Sequence, residues 1–223
     1  MVAIRYGVAV LALAWALSGV SFAATQGEAM RFWLVPWGEK ARCGTKCPQV
    51  IVAEGEIRSE TPARFRSFVA SQRGNPNLHA IVLLSSPGGS VEASMMLGQM
   101  FRQTKVLAIV GRPEGAGRLS AARCYSACAY ALMGGVRRIV PPQSSLGIHR
   151  MHLDQRVAAS RRGGAAQRVY GTPHWVQRLT TYAIQMGISR DLITTAETIP
   201  PEQIKILTSE EMKRWKLADS VYP

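Results

Sequence analysis

The stretch RCYSACAYALMGG, residues 123–135, determines how the rest of this sequence is interpreted. Its apolar residues predict a short buried helix that begins near Ser126 and ends at the two glycines. Cys124 and Cys128 flank the serine, each two positions away. A hydroxyl at the start of a helix is a candidate nucleophile, because the first backbone amides of a helix have no intrahelical acceptor.

Two other segments carry the groups that such a serine needs. A short apolar run, residues 79–84, predicts a buried strand that leads into the turn SSPGGS, residues 85–90, and a helix follows from Val91. A glycine turn between a strand and a helix exposes backbone amides that can bind an oxyanion. Downstream, the segment LGIH ends at an imidazole that can act as the general base. The predicted acyl-transfer site therefore contains Ser126 and His149, with Gly88, Gly89 and Ala127 as oxyanion donors.

These motifs resemble the Clp protease family. The shared features are the sequence SPGGSV at residues 86–91, the serine helix with its final glycines, Pro141, and the pair Ile148–His149. The separation of 23 positions (149 − 126) between serine and histidine is close to the gap in that family. The segment 206–219 is also similar to the family's closing segment, with Lys216 in place of a glycine.

The resemblance covers about residues 50–220 and implies a fold, an activity and partners. The implied fold is α/β and ClpP/crotonase-like, with repeated β-β-α units and a largely parallel sheet. The implied activity is that of a serine peptidase on a peptide or protein substrate, without a cofactor. Self-assembly into a homo-oligomer is implied as well. An exported, cysteine-flanked form resembles a periplasmic branch of Clp-protease-like proteins, and no ATPase partner is expected after export.

The third catalytic residue of the family has no obvious counterpart here. Counting back from Leu207 reaches Pro200 rather than an aspartate, and the nearby polar candidates are Glu197, Thr198 and Glu202. A threonine hydroxyl can orient the histidine but cannot neutralise its charge. Thr198 is taken as the third site residue, with the two glutamates and a plain Ser–His dyad as alternatives.

The missing acid keeps other classes of function open. One alternative is a catalytically inactive scaffold or partner-binding protein, since a fold does not dictate an activity. Another is an acyl-thioester enzyme of the wider crotonase fold, which we rank last because an exported chain has little access to coenzyme A.

The first residues have the pattern of a secretory signal peptide. Arg5 precedes an apolar run of about a dozen residues, and small residues around Ser21 and Ala23 resemble a cleavage site. An uncleaved anchor is the alternative, although the run is short for a membrane-spanning helix. We therefore expect residues 1–24 to be a signal peptide, 25–48 an N-terminal arm and 49–223 the ClpP/crotonase-like domain, located in the periplasm or outside the cell.

Four cysteines occur as two pairs with identical spacing, Cys43 with Cys47 and Cys124 with Cys128. An even number in an exported chain favours disulfides over a zinc site, but the sequence leaves three connectivities open. A bridge between Cys124 and Cys128 would strain a regular helix, so Cys124 is expected in the loop before it. Such a bridge either makes the serine turn rigid or responds to redox conditions.

The net charge of +13 raises the question of nucleic-acid binding. The basic residues are dispersed and form no nucleic-acid motif, so weak adhesion to anionic surfaces is the favoured interpretation and no specific nucleic acid is expected. No metal is expected either. On a continuous strand, His149 and His152 would point to opposite faces.

Overall fold

The computed structural model describes residues 27–155 and 167–219. The predicted signal peptide lies outside these residues. The strands are β1 (Arg31–Pro36), β2 (Gln49–Glu54), β3 (Leu78–Ser85), β4 (Leu107–Val110), β5 (Arg112–Gly115), β6 (Arg118–Ser120), β7 (Arg123–Tyr125), β8 (Arg137–Ile139), β9 (Ser145–Ile148), β10 (His152–Gln155), β11 (Gln167–Tyr170) and β12 (Lys205–Ile206). The helices are α1 (Lys40–Cys43), α2 (Thr61–Ser71), α3 (Val91–Gln103), α4 (Cys128–Met133), α5 (Pro173–Gln185), α6 (Asp191–Glu197) and α7 (Ser209–Arg214).

The main sheet has the order β1-β2-β3-β4-β8. Strands β2, β3, β4 and β8 are parallel, and β1 pairs antiparallel with β2. The central strands are short apolar runs that are buried on both faces of the sheet. One face packs against helix residues that include Phe65 and Leu97, and the other is covered by residues that include Trp33 and Leu119. The prediction of an α/β fold with a largely parallel sheet is confirmed. The edge strand β1 comes from the segment that the sequence interpretation assigned to an N-terminal arm.

A second sheet has the order β12-β9-β7, and two residues of the predicted site directly follow its strands, Ser126 after β7 and His149 after β9. Strands β7 and β9 are parallel, while β12 pairs antiparallel with β9. Beyond the end of β3, Ser86 donates its amide to the carbonyl of Arg123 (2.8 Å) and accepts from the amide of Tyr125 (3.1 Å). The glycine turn after β3 is therefore hydrogen-bonded to the strand that precedes Ser126.

Helix α4 is held in place by two tight contacts with its neighbours. A Cβ atom added to Gly134, at the end of α4, would overlap the carbonyl of Gly98 in α3. The two helices can approach this closely only because both positions are glycine. Beside the same contact, the Tyr182 hydroxyl of α5 donates to the carbonyl of Tyr130 (2.7 Å). All six residues of α4 are buried, which fixes the position of its first residue.

Some local sequence patterns predict elements that differ from the observed ones. The polar, glycine-containing stretch 111–123 predicts a loop, but it contains the β5–β6 hairpin and the first residue of β7. The amphipathic pattern from Gln167 to Met186 predicts one long helix, which begins instead at Pro173, because residues 167–170 form β11 and pair with β10. Thr61, which the sequence suggests as an N-cap, is the first residue of α2, where its hydroxyl accepts from the amide of Arg58 (2.8 Å). The spacing of Thr208 and Glu211 predicts a capping box, and the structure confirms it.

Both cysteine pairs are disulfide-bonded, Cys43 to Cys47 and Cys124 to Cys128. Their Cα atoms are 4.7 and 5.2 Å apart, within the range that disulfide geometry allows. Cys124 lies on strand β7, not in a loop as predicted, so its bridge to Cys128 joins a strand to the first residue of α4 and strains no helix. Across residues 27–155 and 167–219, no helix has the length and apolar character needed to span a bilayer.

Candidate active site

Ser126 lies at a sharp turn between strand β7 and helix α4. The predicted helix start at Ser126 is therefore wrong by two residues, because α4 begins at Cys128. The serine has φ of 55°, in the left-handed region that costs a residue with a side chain on the order of 1–3 kcal/mol. The three other non-glycine residues with positive φ among those described are exposed turn residues, whereas Ser126 is half-buried. Such backbone strain is often found where a side chain must be held for chemistry.

The glycine turn contacts the serine turn directly. A Cβ added to Gly88 would lie 2.8 Å from the Cβ of Ser126 and 3.1 Å from the amide nitrogen of Ala127. Gly88 has φ of 109°, a conformation that glycine adopts without steric cost. The two motifs, 38 positions apart (126 − 88), are thus brought together by the bonds between Ser86 and strand β7.

The predicted oxyanion donors differ in whether their amides are free. The amide of Gly88 donates to the Ser86 hydroxyl (3.1 Å). The amides of Gly89 and Ala127 have no acceptor among the residues that the structure describes. Gly89 packs directly against the backbone of Ile57, because a Cβ there would overlap the Ile57 carbonyl. The amides of Gly89 and Ala127 are therefore available to bind an oxyanion. Gly88 has another role, because its missing side chain leaves room for a substrate oxygen in front of the Ala127 amide.

His149 reaches the same region through strand β9. The amide of Ser126 donates to the carbonyl of Gly147 (2.9 Å), which places the serine turn beside the strand two residues before the histidine. His149 is buried, with 9% of the residue's surface exposed. In the described part of the chain, no hydrogen bond joins the Ser126 hydroxyl to this ring or to any other group. Catalytic hydrogen bonds are commonly long in the absence of substrate.

A backbone carbonyl sets the tautomer of His149. The ring Nδ1 lies 2.8 Å from the carbonyl oxygen of Arg150, and a carbonyl only accepts, so Nδ1 carries the proton. The Nε2 atom then keeps its lone pair and can act as a base. Burial lowers the pKa of His149, and the charge of His152 acts in the same direction. The hydrogen bond to Arg150 and the charge of Glu202 act against this shift and raise the pKa.

The three candidates for a third catalytic residue have different environments. The Thr198 hydroxyl donates to the carbonyl of Thr195 (2.7 Å) at the end of α6, and no hydrogen bond within the described residues connects it to His149. Glu197 accepts from the amide of Met151 (3.3 Å) and pairs with the Arg150 side chain (3.8 Å). Glu202 acts on His149 through its charge. The structure therefore gives Thr198 no orienting role.

The chain topology explains the influence of Glu202. The amide of Arg150 donates to the carbonyl of Ile199 (2.9 Å), and Lys205 pairs with Ile148. Residues 200–204 consequently form a loop whose two ends flank His149, and Glu202 lies at its centre. Sequence reasoning missed the carbonyl of Arg150, because a backbone acceptor is the same at every residue and leaves no signal in the sequence.

The relation between His149 and His152 differs from the prediction. Their ring centroids are 5.7 Å apart, so the two rings do not point to opposite faces. The reason is that strand β9 ends at Ile148 and the chain turns before β10 begins at His152. No group of three metal-ligating side chains gathers in the described ranges.

Comparisons with known proteins place this fold. No family model matches the chain, and no curated protein matches it. A mutant of the 1510-N membrane-bound stomatin-specific protease, solved in complex with a substrate peptide, is similar over 73% of this chain and 69% of its own, with 20% identity and a TM-score of 0.50. A ClpP1 mutant from Listeria monocytogenes is similar over 76% of this chain and 88% of its own, with 14% identity and a TM-score of 0.49. The chain thus has a Clp protease-like fold, as the resemblance of its motifs implied.

Proposed function

We propose that this protein is a serine hydrolase that cleaves peptide bonds. Ser126 is the nucleophile, His149 is the general base, and the amides of Ala127 and Gly89 bind the oxyanion. The observation that carries the proposal is the contact between Gly88 and the strained turn of Ser126, beside the amide of Ala127, which has no acceptor in the described part of the chain. A nucleophile and its oxyanion donors must lie close together in this way, so that the donors can bind the charge that forms on the substrate oxygen.

The reaction follows from the groups present. The Ser126 oxygen attacks the substrate carbonyl carbon while its proton moves to Nε2 of His149, and the negative charge forms on the carbonyl oxygen. The C–N bond then breaks, and the imidazolium gives its proton to the leaving amine. Water, deprotonated by the same imidazole, releases the acyl group and restores Ser126. The carbonyl of Arg150 keeps the proton on Nδ1 of His149. It thereby orients the imidazole, as the carboxylate of a catalytic triad does.

A peptide substrate is supported by the shared fold. The stomatin-specific protease of similar fold was solved with a substrate peptide. Self-assembly into a homo-oligomer stays a prediction, which light scattering on the purified chain tests.

A serine-directed fluorophosphonate probe tests the assignment. Purified wild-type protein should be labelled at Ser126, and Ser126→Ala should abolish labelling. Ser144→Ala is the control, because the Ser144 hydroxyl is held by the amide of Ala122 (3.1 Å) outside the site. Labelling that survives Ser126→Ala, mapped to another residue by mass spectrometry, contradicts the proposal.

A partner-binding protein without activity is the second candidate. One observation favours it, namely the absence of a hydrogen bond between the hydroxyl of Ser126 and the ring of His149 in the described residues. The same experiment separates the two candidates. A folded wild-type protein that resists labelling across pH 5 to 9 supports the binding protein.

Export to an oxidising compartment is part of the proposal. The two disulfides support it, since such bonds persist mainly outside the reducing cytosol. Cell fractionation followed by mass spectrometry should find a soluble product that lacks residues 1–24. Leu13→Arg, which interrupts the apolar run, should leave an unprocessed precursor, and a wild-type product that keeps its first residues contradicts the export proposal.

A further inference from the structure

We infer that the disulfide between Cys124 and Cys128 is a permanent positioning cross-link for Ser126, not a redox switch. The inference rests on the proposed function, in which Ser126 is the nucleophile. It answers a question that the spacing of the cysteines leaves open, whether the bridge makes the turn rigid or senses redox conditions.

The bridge encloses the serine turn. Cys124 is the middle residue of β7, and Cys128 is the first residue of α4, with Ser126 halfway between them. The two Cα atoms are 5.2 Å apart. Because only three residues separate the cysteines, the covalent link limits the path that the backbone at Ser126 can take. The left-handed conformation of Ser126 falls within this short closed loop.

One main-chain donor of the turn contributes no restraint. The amide of Ser126 bonds to Gly147 (2.9 Å), and the carbonyls of Ser126 and Ala127 accept from the amides of Ala129 (3.1 Å) and Tyr130 (3.0 Å). The amide of Ala127, however, has no acceptor among the described residues. An oxyanion donor must stay free, so the fold cannot use this amide to close the turn. A covalent link is a restraint that leaves the amide available.

The bridge also connects the turn to the other two parts of the site. The backbone of Cys124 pairs with that of Ser86, which begins the glycine turn, in an isolated β-bridge. On its other side, Cys124 pairs with Leu146 on β9, the strand that leads to His149. It is therefore fixed from both sides. The disulfide from Cys124 to Cys128 therefore fixes the position of the first residue of α4 relative to both the oxyanion donors and His149.

Burial argues against a switch. Both Cys124 and Cys128 have 0% of their surface exposed. Reduction begins when a thiolate attacks a disulfide sulfur, which requires access to that sulfur. Cys43 of the other bridge is only half-buried. A dithiol reductant, which gives two electrons and two protons to a disulfide and becomes a cyclic disulfide, should therefore reach the Cys43–Cys47 bridge first.

The two bridges form a matched pair for an experiment. Each spans four positions, so each closes a loop of the same length and restricts the unfolded chain to a similar extent. The test variant is Cys124→Ala/Cys128→Ala and the control is Cys43→Ala/Cys47→Ala. We expect the maximal rate constant of fluorophosphonate labelling to fall about 100-fold in the test variant, the size of loss that a misplaced reacting group causes. The probe concentration at half-maximal rate should stay within about twofold, and the control should match wild type.

A merely stabilising bridge gives a different result. In that case the folded fraction of the test variant labels at the wild-type rate, and the inference is overturned. If Cys124→Ala/Cys128→Ala does not fold by circular dichroism, Cys124→Val/Cys128→Ala restores most of the lost volume. Hydrogen exchange of the amides from 123 to 133 provides a second readout, which should rise in the test variant and not in the control.

A second experiment tests whether the Cys124–Cys128 disulfide resists reduction in the folded protein. Wild-type protein is incubated with dithiothreitol in native buffer, and free thiols are alkylated and located by mass spectrometry. Cys43 and Cys47 should be alkylated while labelling of Ser126 continues, and Cys124 should react only after denaturant is added. Loss of labelling in step with alkylation of Cys124 in native buffer would show a switch. If wild type does not label at all, the proposed function fails, and unchanged hydrogen exchange in the test variant then overturns the cross-link as well.

Discussion

Glycine at position 88 is the residue on which the proposed oxyanion site depends most closely. The Cβ of Gly88→Ala would press against Ser126 and stand before the amide of Ala127. Loss of an oxyanion donor typically lowers the rate about 100- to 1,000-fold. We therefore expect fluorophosphonate labelling by Gly88→Ala to slow by about 100-fold or more, in a protein that still shows the wild-type circular dichroism spectrum.

Gly74→Ala is the matched control for this change. Gly74 also has positive φ, 84°, but a Cβ there would meet nothing within 4 Å. Both alanines carry backbone strain, so a difference in labelling reports the contact with the Ser126 turn. Equal labelling of the two variants contradicts the role given to Gly88.

Protonation of His149 should set the acidic limb of the activity. The imidazole is a base only when it is neutral, and burial lowers its pKa from the ordinary value of 6.5. The labelling rate should therefore be constant at pH 7 and above, and fall as the pH drops through a midpoint below 6.5. Stability should change in the same sense, because the unfolded chain binds the proton at a higher pH than the folded one.

Glu202→Gln tests the electrostatic part of this prediction. The charge of Glu202 raises the pKa of His149, so its removal should move the midpoint further toward acid. Thr198→Val is the control, since the Thr198 hydroxyl bonds only to Thr195 among the described residues, and it should leave the midpoint unchanged. A wild-type midpoint above 6.5, or a shift caused by Thr198→Val, goes against this assignment.

At the level of secondary-structure elements, the contact of α3 with α4 supports the serine turn. The Cβ of Gly134→Ala would overlap the carbonyl of Gly98, and overpacking of this kind costs about 1–3 kcal/mol. We expect urea unfolding to show a loss of at least this size. Val136→Ala, an exposed change two residues away, should alter stability by less than about 0.5 kcal/mol. A Gly134→Ala variant as stable as wild type would mean that the two helices can separate without cost.

Some secondary-structure elements can be predicted from local sequence patterns alone, and others cannot. The buried strand β3, the helix α3 after the glycine turn, and the capping box of α7 follow from apolar runs and capping residues. The β5–β6 hairpin and β11 do not, because their residues are polar and pair only once a neighbouring strand is in place. The two-residue error at the start of α4 has the same origin, since β7 is defined by its pairing with β9.

In the molecule as a whole, the site lies where the main sheet meets the second sheet, β12-β9-β7. Strand β3 belongs to the main sheet, and its continuation at Ser86 bonds to β7 of the second sheet. The serine, the glycine turn and the histidine therefore depend on one junction. Changes there should affect all three groups together.

Local sequence patterns indicated the α/β class, the central parallel strands and the segments that carry the candidate site, because apolar periodicity, glycine turns and caps act over a few residues. They also indicated disulfides, from an even number of cysteines in a chain with a predicted signal peptide. The folded molecule alone shows that Ser126 occupies a strained turn, that Gly88 contacts it, that Cys124 lies on a strand, and that a backbone carbonyl orients His149. These features depend on pairing between distant segments and on main-chain groups that every residue shares, so no local pattern of side chains encodes them.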